Sequence, residues 1–487
     1  MYKQPPKKKI VRRLIVIYGV MIALIASLVT LLVFFMLGYR FDGQEQRFEQ
    51  TGLVQFDSEP RGAIVEVNKK RLSGKTATKT VVSQGTHEFA MWREGYETWW
   101  KQLAIQAGTV TWLDYARLIP KERPVESIHT FEQLEDVSFA PFGRFMIALQ
   151  KPDVPELVLF DLRDAENTKQ TVIKLPETAL SGMEEGVVHR YEIDEWDQGG
   201  RYVLLKHSYS DQIEWLLLDR EKPDELQNVS TIVNLPIVDA QLSGSSGNEL
   251  YILTEGTIRL VKLSDGSLSR AYASRVQQFN LYGTGVITYV GTTENNTERV
   301  VGVVQKDDQK PHVLKTITAS PDVPVSITTS NYYHKDYIAI SVGSQVEIMS
   351  GDYPTNEKTV DQTMKPVMTF DFVRPIKWLQ MSGNGRFVLA QDDAGYMSYD
   401  LERGAQSTMI DFASPLSQKL RWIDSYSVYN VEDGQLILRE FDGANRHAIL
   451  PADSRFASSL DQDDTYMYAV AATDKGYALQ RVRMILQ

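Results

Sequence analysis

The sequence predicts a mainly β protein with one N-terminal transmembrane helix, a small β-sandwich and then a seven- or eight-bladed β-propeller. The observations behind this prediction are an uncharged apolar run, a short segment rich in β-branched and aromatic residues, and a long repetitive region. Apolar residues make up 43% of the 487-residue chain and aromatic residues 10%, which excludes global disorder. The chain contains no Cys, which excludes a disulfide scaffold, a thiolate metal site and a Cys nucleophile.

The first predicted element is a membrane anchor over residues 14–38, preceded by a cytoplasmic basic tail over residues 1–13. Between Leu14 and Gly38 no residue is charged, and a helix of this length reaches about 37 Å, which exceeds the ~30 Å of a bilayer core. The main alternative, a cleaved signal peptide, has a shorter apolar core and a small-residue cleavage motif. Six Lys and Arg precede the run and only Arg40 follows closely. The positive-inside rule therefore predicts that the later domains lie outside the cytoplasm.

The charge of the chain is unevenly distributed. Residues 1–40 hold seven Lys and Arg and no acidic residue, so a net charge of −11 leaves −18 on the remaining 447 residues. An acidic body argues against nucleic acid as the main partner. The basic tail is explained by its place beside a membrane helix.

Two short regions follow the helix. Residues 39–50 are polar and lack apolar periodicity, so we expect a tether. Residues 51–120 are rich in Val, Ile, Thr, Tyr and Trp and are divided by turn residues at Gly74, Gly85, Gly95 and Gly108. Short strands at this spacing predict a compact all-β sandwich.

The turn residues of this sandwich occur in the order of a known family. They are Ser58, Pro60, Gly62, Ala63, Gly74, Thr76, Gly85, His87, Gly95 and Tyr96. In their order and spacing, residues 51–120 resemble a PEGA domain, although Arg61 stands where the family has Glu and Ala77 where Pro is usual. The resemblance implies a surface or envelope β domain with a binding or spacing role and supplies no catalytic residues.

Two adjacent aromatic residues in this segment are candidate site residues. Trp99 and Trp100 fall on one predicted strand, where successive side chains point to opposite faces. One is therefore expected in the core, and the other faces outward. The outward ring either packs on another part of the chain, stacks on a glycan or contacts lipid headgroups.

Residues 121–487 contain a recurring unit of an apolar strand, a polar turn and a second apolar strand. Examples of its first half are SFAPFGRFMIAL at 138–149 and WLQMSGNGRFVLAQ at 378–391. The unit recurs eight times at spacings of roughly 38–57 residues, close to the ~40–50 residues that are typical of propeller blades. The G-R-F turns are similar to those of TolB-like and WD-like propellers, a resemblance that bears on fold and implies no function. Stacked β-sandwiches are the alternative architecture.

The sequence contains no recognisable catalytic motif. The seven His show no metal-binding spacing, and neither a nucleophile elbow nor a phosphate-binding loop occurs. Acidic turns at Asp194 and Asp197 and at Asp461, Asp463 and Asp464 do not match a Ca²⁺ loop. We therefore expect no cofactor and no metal.

These observations predict a membrane-anchored, extracytoplasmic binding or scaffold protein of the cell envelope. Its expected partners are the lipid bilayer, through residues 14–38, and an envelope protein or a cell-wall glycan held by the propeller. One alternative is an anchored hydrolase with active-site carboxylates in the propeller funnel. Another is an export or assembly accessory whose helix dimerises through the small-residue pairs Gly19–Ala23 and Ala23–Ser27.

Overall fold

The computed structural model describes residues 7–36, 39–42, 47–318 and 320–486. The chain divides into two compact units. The small unit comprises Met1–Glu122 with Leu486–Gln487, and the large unit comprises Arg123–Ile485.

The N-terminal helix, α1, spans Lys7–Met36. Its segment Val11–Phe34 is long and apolar enough to cross a membrane, and none of the tested window is buried. The helix begins inside the predicted basic tail, because Lys and Arg are good helix formers and Pro5 and Pro6 come directly before it. Residues 37–38, the end of the predicted span, lie outside the described residues.

The predicted tether over residues 39–50 is wrong in part, because both of its ends are strands. Strand β1, Tyr39–Asp42, pairs antiparallel with the start of strand β2, Arg47–Glu59, with Tyr39 opposite Gln50. Such pairing uses backbone N–H and C=O groups, so a search for apolar periodicity does not detect it. Residues 43–46 lie outside the described residues.

The rest of the small unit is a sandwich of two sheets. Its further strands are β3 (Ile64–Val67), β4 (Lys70–Lys75), β5 (Thr78–Ser83), β6 (Gly85–Trp92), β7 (Trp99–Ile105) and β8 (Val110–Arg117). One sheet has the order β1-β2-β5, with β8 parallel to β2, and the other has the order β4-β3-β6-β7. Val54 and Phe56 alternate with half-buried residues along β2, and the Phe56 ring lies 5.8 Å from that of Phe89 in the core.

Two residues of the family pattern hold the turns of the sandwich together. The Ser58 hydroxyl lies 2.7 Å from the Thr76 hydroxyl, which also accepts a hydrogen bond from the Ala63 N–H at 2.9 Å. Gly62 between them has a φ of 88°, a backbone conformation that favours glycine. The pattern is therefore explained by hydrogen bonding between turns.

In the described part of residues 126–483, the large unit forms eight sheets, S1–S8, each made of successive antiparallel strands. S1 comprises Asp136–Phe139, Phe145–Leu149, Glu156–Asp161 and Lys169–Lys174. S2 comprises His189–Trp196, Tyr202–Tyr209, Gln212–Asp219 and Gln227–Asn228. S3 comprises Asp239–Leu242, Glu249–Thr254, Thr257–Lys262, Ser267–Leu268 and Ala273–Ser274. S4 comprises Val276–Tyr282, Val286–Thr292, Arg299–Gln305 and His312–Ile317.

The second half of the large unit repeats this arrangement. S5 comprises Val325–Tyr332, Lys335–Val342, Gln345–Gly351 and Met364–Asp371. S6 comprises Trp378–Met381, Phe387–Gln391, Gly395–Asp400, Ala405–Gln406 and Ile410–Asp411. S7 comprises Arg421–Trp422, Ser427–Glu432, Gln435–Glu440 and His447–Pro451. S8 comprises Ser459–Leu460, Tyr466–Thr473, Gly476–Arg483 and, from the start of the unit, Glu126–Phe131. Two short helices, α2 (Val229–Val233) and α3 (Val360–Thr363), connect strands.

The sheets form a closed ring. Glu126–Phe131 pairs with Gly476–Arg483, so the last sheet combines strands from both ends of the unit. Phe131 and Phe160, with rings 5.9 Å apart, then pack in one core shared by S8 and S1. Similar apolar clusters join each consecutive pair of sheets from S1 to S7. At the junction of S7 and S8, the Tyr429 hydroxyl donates to the Ser458 carbonyl at 2.9 Å and accepts from its N–H at 2.8 Å.

Candidate functional site

The first strands of consecutive sheets contact one another from S1 to S6, which places them at the inner edge of the ring. We call the first strands of S1–S8 the inner strands. One edge of each inner strand pairs with the second strand of its sheet, and the other edge presents backbone groups that need partners.

Side chains of one sheet satisfy the free edge of the next. Gln241 of S3 donates its amide N–H to the Phe279 carbonyl of S4 at 3.0 Å, and its amide oxygen accepts from the Leu281 N–H at 2.8 Å. Asn280 donates to the Ile327 carbonyl at 3.1 Å. We call these side chains amide clamps.

Similar side-chain contacts occur at two more junctions, one of them with a different chemical group. Gln380 of S6 donates to the Leu420 carbonyl at 2.9 Å. At the junction of S2 and S3 the clamp is a carboxylate, because Glu195 accepts a short hydrogen bond from the Leu242 N–H. The inner edge is therefore a fixed polar surface built from side chains that already hold the ring together.

A cavity of about 400 Å³ opens on the inner strands of S4–S6. Its lining includes Gln278, Asn280, Thr328, Gln380 and Lys419 and has one Trp, Trp378. No Asp or Glu is among the described residues that line this inner cavity. It offers amide, hydroxyl and ammonium groups, which suit the backbone of an extended polypeptide.

The opposite arc of the ring is acidic. Burial raises the pKa of Asp136 on S1 and of Asp239 on S3, and it raises the pKa of Glu195 to about 7. The neighbouring charges of Asp194 and Asp239 add to the effect on Glu195, whereas the Leu242 N–H opposes it. These carboxyls have the perturbed pKa values expected at functional sites, although structural groups show them too.

A smaller cavity of about 220 Å³ lies beside the first strand of S7. Lys419 lines both this side cavity and the inner cavity, and Arg421 lines the side cavity alone. Burial lowers the pKa of Lys419, and the nearby charge of Arg421 lowers it further.

The structure brings together two His that the sequence showed as isolated. Nδ1 of His189 lies 2.9 Å from Nε2 of His207, whose Nδ1 lies 2.7 Å from a carboxylate oxygen of Glu214. Asn228 donates to the other oxygen of that carboxylate at 2.7 Å, and the Tyr191 ring stacks on His207 with centroids 4.4 Å apart. Cross-strand register within S2, which the sequence does not reveal, creates this network.

The two adjacent Trp residues that the sequence singled out, Trp99 and Trp100, lie in different environments. Trp99 is 1% exposed and meets the Tyr115 ring edge-on at 6.1 Å. Trp100 is 48% exposed on β7, an edge strand of its sheet. Trp99 is therefore a core residue, and Trp100 is the member of the pair that can meet a ligand.

Sequence reasoning missed a third aromatic position in the small unit. Trp112 lines a cavity of about 510 Å³ with Gln55, Asp57, Lys79 and Asp114. Gln55 of β2 lies between Lys79 of β5 and Trp112 of β8 in the strand register, so one face of the sheet carries these groups. An aromatic ring beside carboxylate and amide groups is chemistry that suits a sugar.

The acidic turns have a structural role. Asp197 is buried and accepts hydrogen bonds from the N–H groups of Gly199 and Arg201. Asp461 does the same for Thr465 and Tyr466. In the part of the chain that the structure describes, no group of three or more His, Asp and Glu is arranged to hold a metal ion.

Comparison with known proteins supports the two-part architecture. Residues 51–118 match the PEGA domain family. No curated protein matches the chain. Among solved structures, the C-terminal WD40 domain of Sif2 is similar over 74% of this chain and 99% of its own, with 11% identity and a TM-score of 0.51.

Two other solved structures are similar to parts of this chain. The Dos1 propeller is 10% identical over 74% of this chain and 94% of its own, with a TM-score of 0.45. Apo AztD from Citrobacter koseri is 8% identical over 81% of this chain and 95% of its own, with a TM-score of 0.41. The small unit thus carries a PEGA domain, and the large unit has the β-propeller fold that the likeness to Sif2 shows.

Proposed function

We propose that this chain is a membrane-anchored binding or scaffold protein of the cell envelope whose propeller holds a protein partner at its inner strands. The observation that carries the proposal is the inner cavity of about 400 Å³, which clamp residues of S4 and S6 line with fixed amide groups. Preorganised polar groups lose little conformational entropy when a partner binds. The PEGA domain and the single apolar helix support an envelope location.

Photo-cross-linking tests the proposed partner surface. A photoreactive residue at Thr328, which lines the inner cavity, is expected to give a discrete cross-linked product in cells. The matched control is Lys169, an exposed residue on the fourth strand of S1. The same products from both positions, or none from Thr328, would contradict partner binding at the inner strands.

Single-Cys labelling tests the orientation, because the chain has no Cys of its own. With Lys475→Cys in an exposed turn of S8, a membrane-impermeant maleimide is expected to label spheroplasts without lysis. With Lys3→Cys in the basic tail, labelling is expected only after lysis. Protection of residue 475 in unlysed spheroplasts would refute the external location.

A second candidate function is binding of a cell-wall glycan by the small unit. The Trp112 cavity favours it, since this ring lies beside Gln55 and two carboxylates. Trp112→Ala is expected to reduce retention of the chain on purified cell-wall material. Trp100→Ala removes the exposed ring on the edge strand β7 and is the matched comparison: retention that is unchanged in this variant would assign the binding to the Trp112 cavity. Failure of the unmodified chain to bind at high concentration would remove the glycan candidate.

The hydrolase alternative has less support. A glycosidase needs an acid and a second carboxylate on either side of the bond it cleaves, yet the described lining of the inner cavity contains neither Asp nor Glu. The carboxyls with raised pKa values, Asp136, Glu195 and Asp239, belong to S1–S3. The cavity therefore has the chemistry of a binding surface.

A further inference from the structure

Lys419 and Arg421 form a paired cationic site that the binding function described so far does not use. They flank Leu420 and both line the side cavity, while Leu420 packs into the core between S6 and S7. The alternation of polar and apolar residues thus delivers two positive charges to one cavity wall.

Neither cation forms an ion pair with a described residue, although the charge of Arg421 acts on Asp136 of S1 and lowers the pKa of that carboxyl. No ion pair within 4.0 Å joins either side chain to a carboxylate among the described residues, and the nearest hydrogen bond of Arg421 is a long one, 3.5 Å, to Gln418 Oε1. Its Nη1 is buried without a hydrogen-bond partner among those residues. A buried guanidinium nitrogen without an acceptor costs free energy, which an incoming oxygen ligand would recover.

The surroundings of the two cations discriminate between anions. The side cavity of about 220 Å³ carries the hydroxyls of Ser414, Ser417 and Ser454. The rest of its lining mixes the apolar side chains of Leu416, Val431 and Phe456 with polar ones, among them Gln418 and Asn430. A carboxylate on a hydrocarbon stem can contact the cations and these apolar side chains together, whereas inorganic phosphate leaves the apolar side chains uncovered.

We infer that Lys419 and Arg421 bind a carboxylate of a polypeptide partner, with the stem of the residue packed against Leu416, Val431 and Phe456 in the side cavity. Lys419 lines the inner cavity as well, so the chain attached to that carboxylate can continue along the amide clamps. This inference rests on the proposed protein-binding function and specifies the chemistry that the partner presents.

Fluorescence anisotropy with the full-length chain in detergent tests the assignment. Two dye-labelled probes separate the sources of a carboxylate: hexaglutamate with an amidated C-terminus, and hexaalanine with a free C-terminus. At least one is expected to bind, and amidated hexaalanine is expected not to bind. Lys419→Gln and Arg421→Gln are each expected to weaken binding about ten-fold or more, the effect of one charge-assisted hydrogen bond.

The controls distinguish the site from general charge and from misfolding. Lys475→Gln removes an exposed cation from a turn of S8 and is expected to bind as the unmodified chain does. Arg421→Lys, which keeps the charge, is expected to recover part of the affinity lost in Arg421→Gln at an unchanged melting temperature. Equal binding by all variants, or binding by neither carboxylate probe, would overturn the inference.

Inorganic phosphate is the competing anion. If phosphate binds in preference to both peptides and Arg421→Gln abolishes that binding, the site is a phosphate site and the carboxylate assignment is wrong. If Thr328 gives a cross-linked product but neither peptide binds, only the carboxylate assignment is wrong. If a peptide binds but Thr328 gives no cross-linked product, the proposed protein partner at the inner strands is wrong.

Discussion

Glu195 should make the propeller less stable as the pH rises, and Glu195→Gln should remove that effect. Glu195 is the clamp of S2, and it accepts from the Leu242 N–H at a position where S3 uses Gln241. Burial raises its pKa from 4.5 to about 7. This pKa includes the opposing effect of the Leu242 N–H, the raising effect of the neighbouring carboxylates Asp194 and Asp239, and the lowering effect of Lys206.

The sign and size of the effect follow from proton linkage. Between pH 4.5 and about 7 the folded chain keeps a proton at Glu195 that the unfolded chain has lost, so stability falls as the pH rises. At about 1.4 kcal/mol per pKa unit the full loss is about 3 kcal/mol above pH 7, and partial hydration of the site reduces it to roughly 1–3 kcal/mol. Glutamine does not ionise, and its amide can donate to the Ala240 carbonyl as Gln241 does to that of Phe279.

Urea unfolding followed by Trp fluorescence measures this difference, with Trp215 in the S2 core as an internal reporter. Glu195→Gln is expected to match the unmodified chain near pH 4 and to exceed its free energy of unfolding by roughly 1–3 kcal/mol at pH 8. Glu184→Gln, at an exposed loop position before S2, is the control and should leave both values unchanged. A Glu195→Gln chain that is no more stable than the original at pH 8 would refute the reasoning.

Three further predictions concern stability. Trp99→Ala is expected to cost about 3–5 kcal/mol because its ring is buried, and Trp100→Ala less than about 1 kcal/mol; equal melting temperatures of the two variants would contradict this. Hydrogen bonds from His207 and its neighbours outweigh the effect of burial and lower the pKa of Glu214 to about 2. The stabilisation that the Glu214 carboxylate gives to the fold is therefore fully present above pH 4.5 and is lost as the pH falls towards 2. Acid titration of Glu214→Gln should lack that loss, and an unchanged titration curve would show that the network does not stabilise the fold. Arg386→Gln leaves the buried Asp400 carboxylate without its bidentate partner and is expected to cost about 3–5 kcal/mol in urea unfolding, whereas a cost below about 1 kcal/mol would mean that the pair is compensated.

Several features were predictable because they depend on local sequence. The apolar run, the turn pattern of the PEGA domain and the repeat of short strands each lie within a few tens of residues. The split environment of Trp99 and Trp100 also followed from the alternation of side chains along a strand. The hairpin of β1 and β2 did not, because its pairing rests on backbone hydrogen bonds that leave little trace in composition.

The candidate sites were less predictable. Trp112 and Gln55 become neighbours only through the parallel pairing of β8 with β2, and His189 meets His207 only through the register of S2. The sequence offered Trp99 and Trp100 as site residues because adjacent Trp are conspicuous. Lys419 and Arg421 gave no comparable signal, since isolated cations on strands are usually solvated.

The sequence by itself determined the order of elements, the apolar helix and the repeat that closes into a ring, because hydropathy and turn chemistry act over short distances. Only the tertiary structure decided which side chains from separate repeats line the same cavity. It also decided which polar groups in those cavities have a hydrogen-bond or ion-pair partner. Ring closure places Glu126 beside Arg481, and the packing of neighbouring sheets aligns the inner strand of S4 with the Gln241 clamp of S3. These contacts between distant residues create the surface on which the proposed function depends.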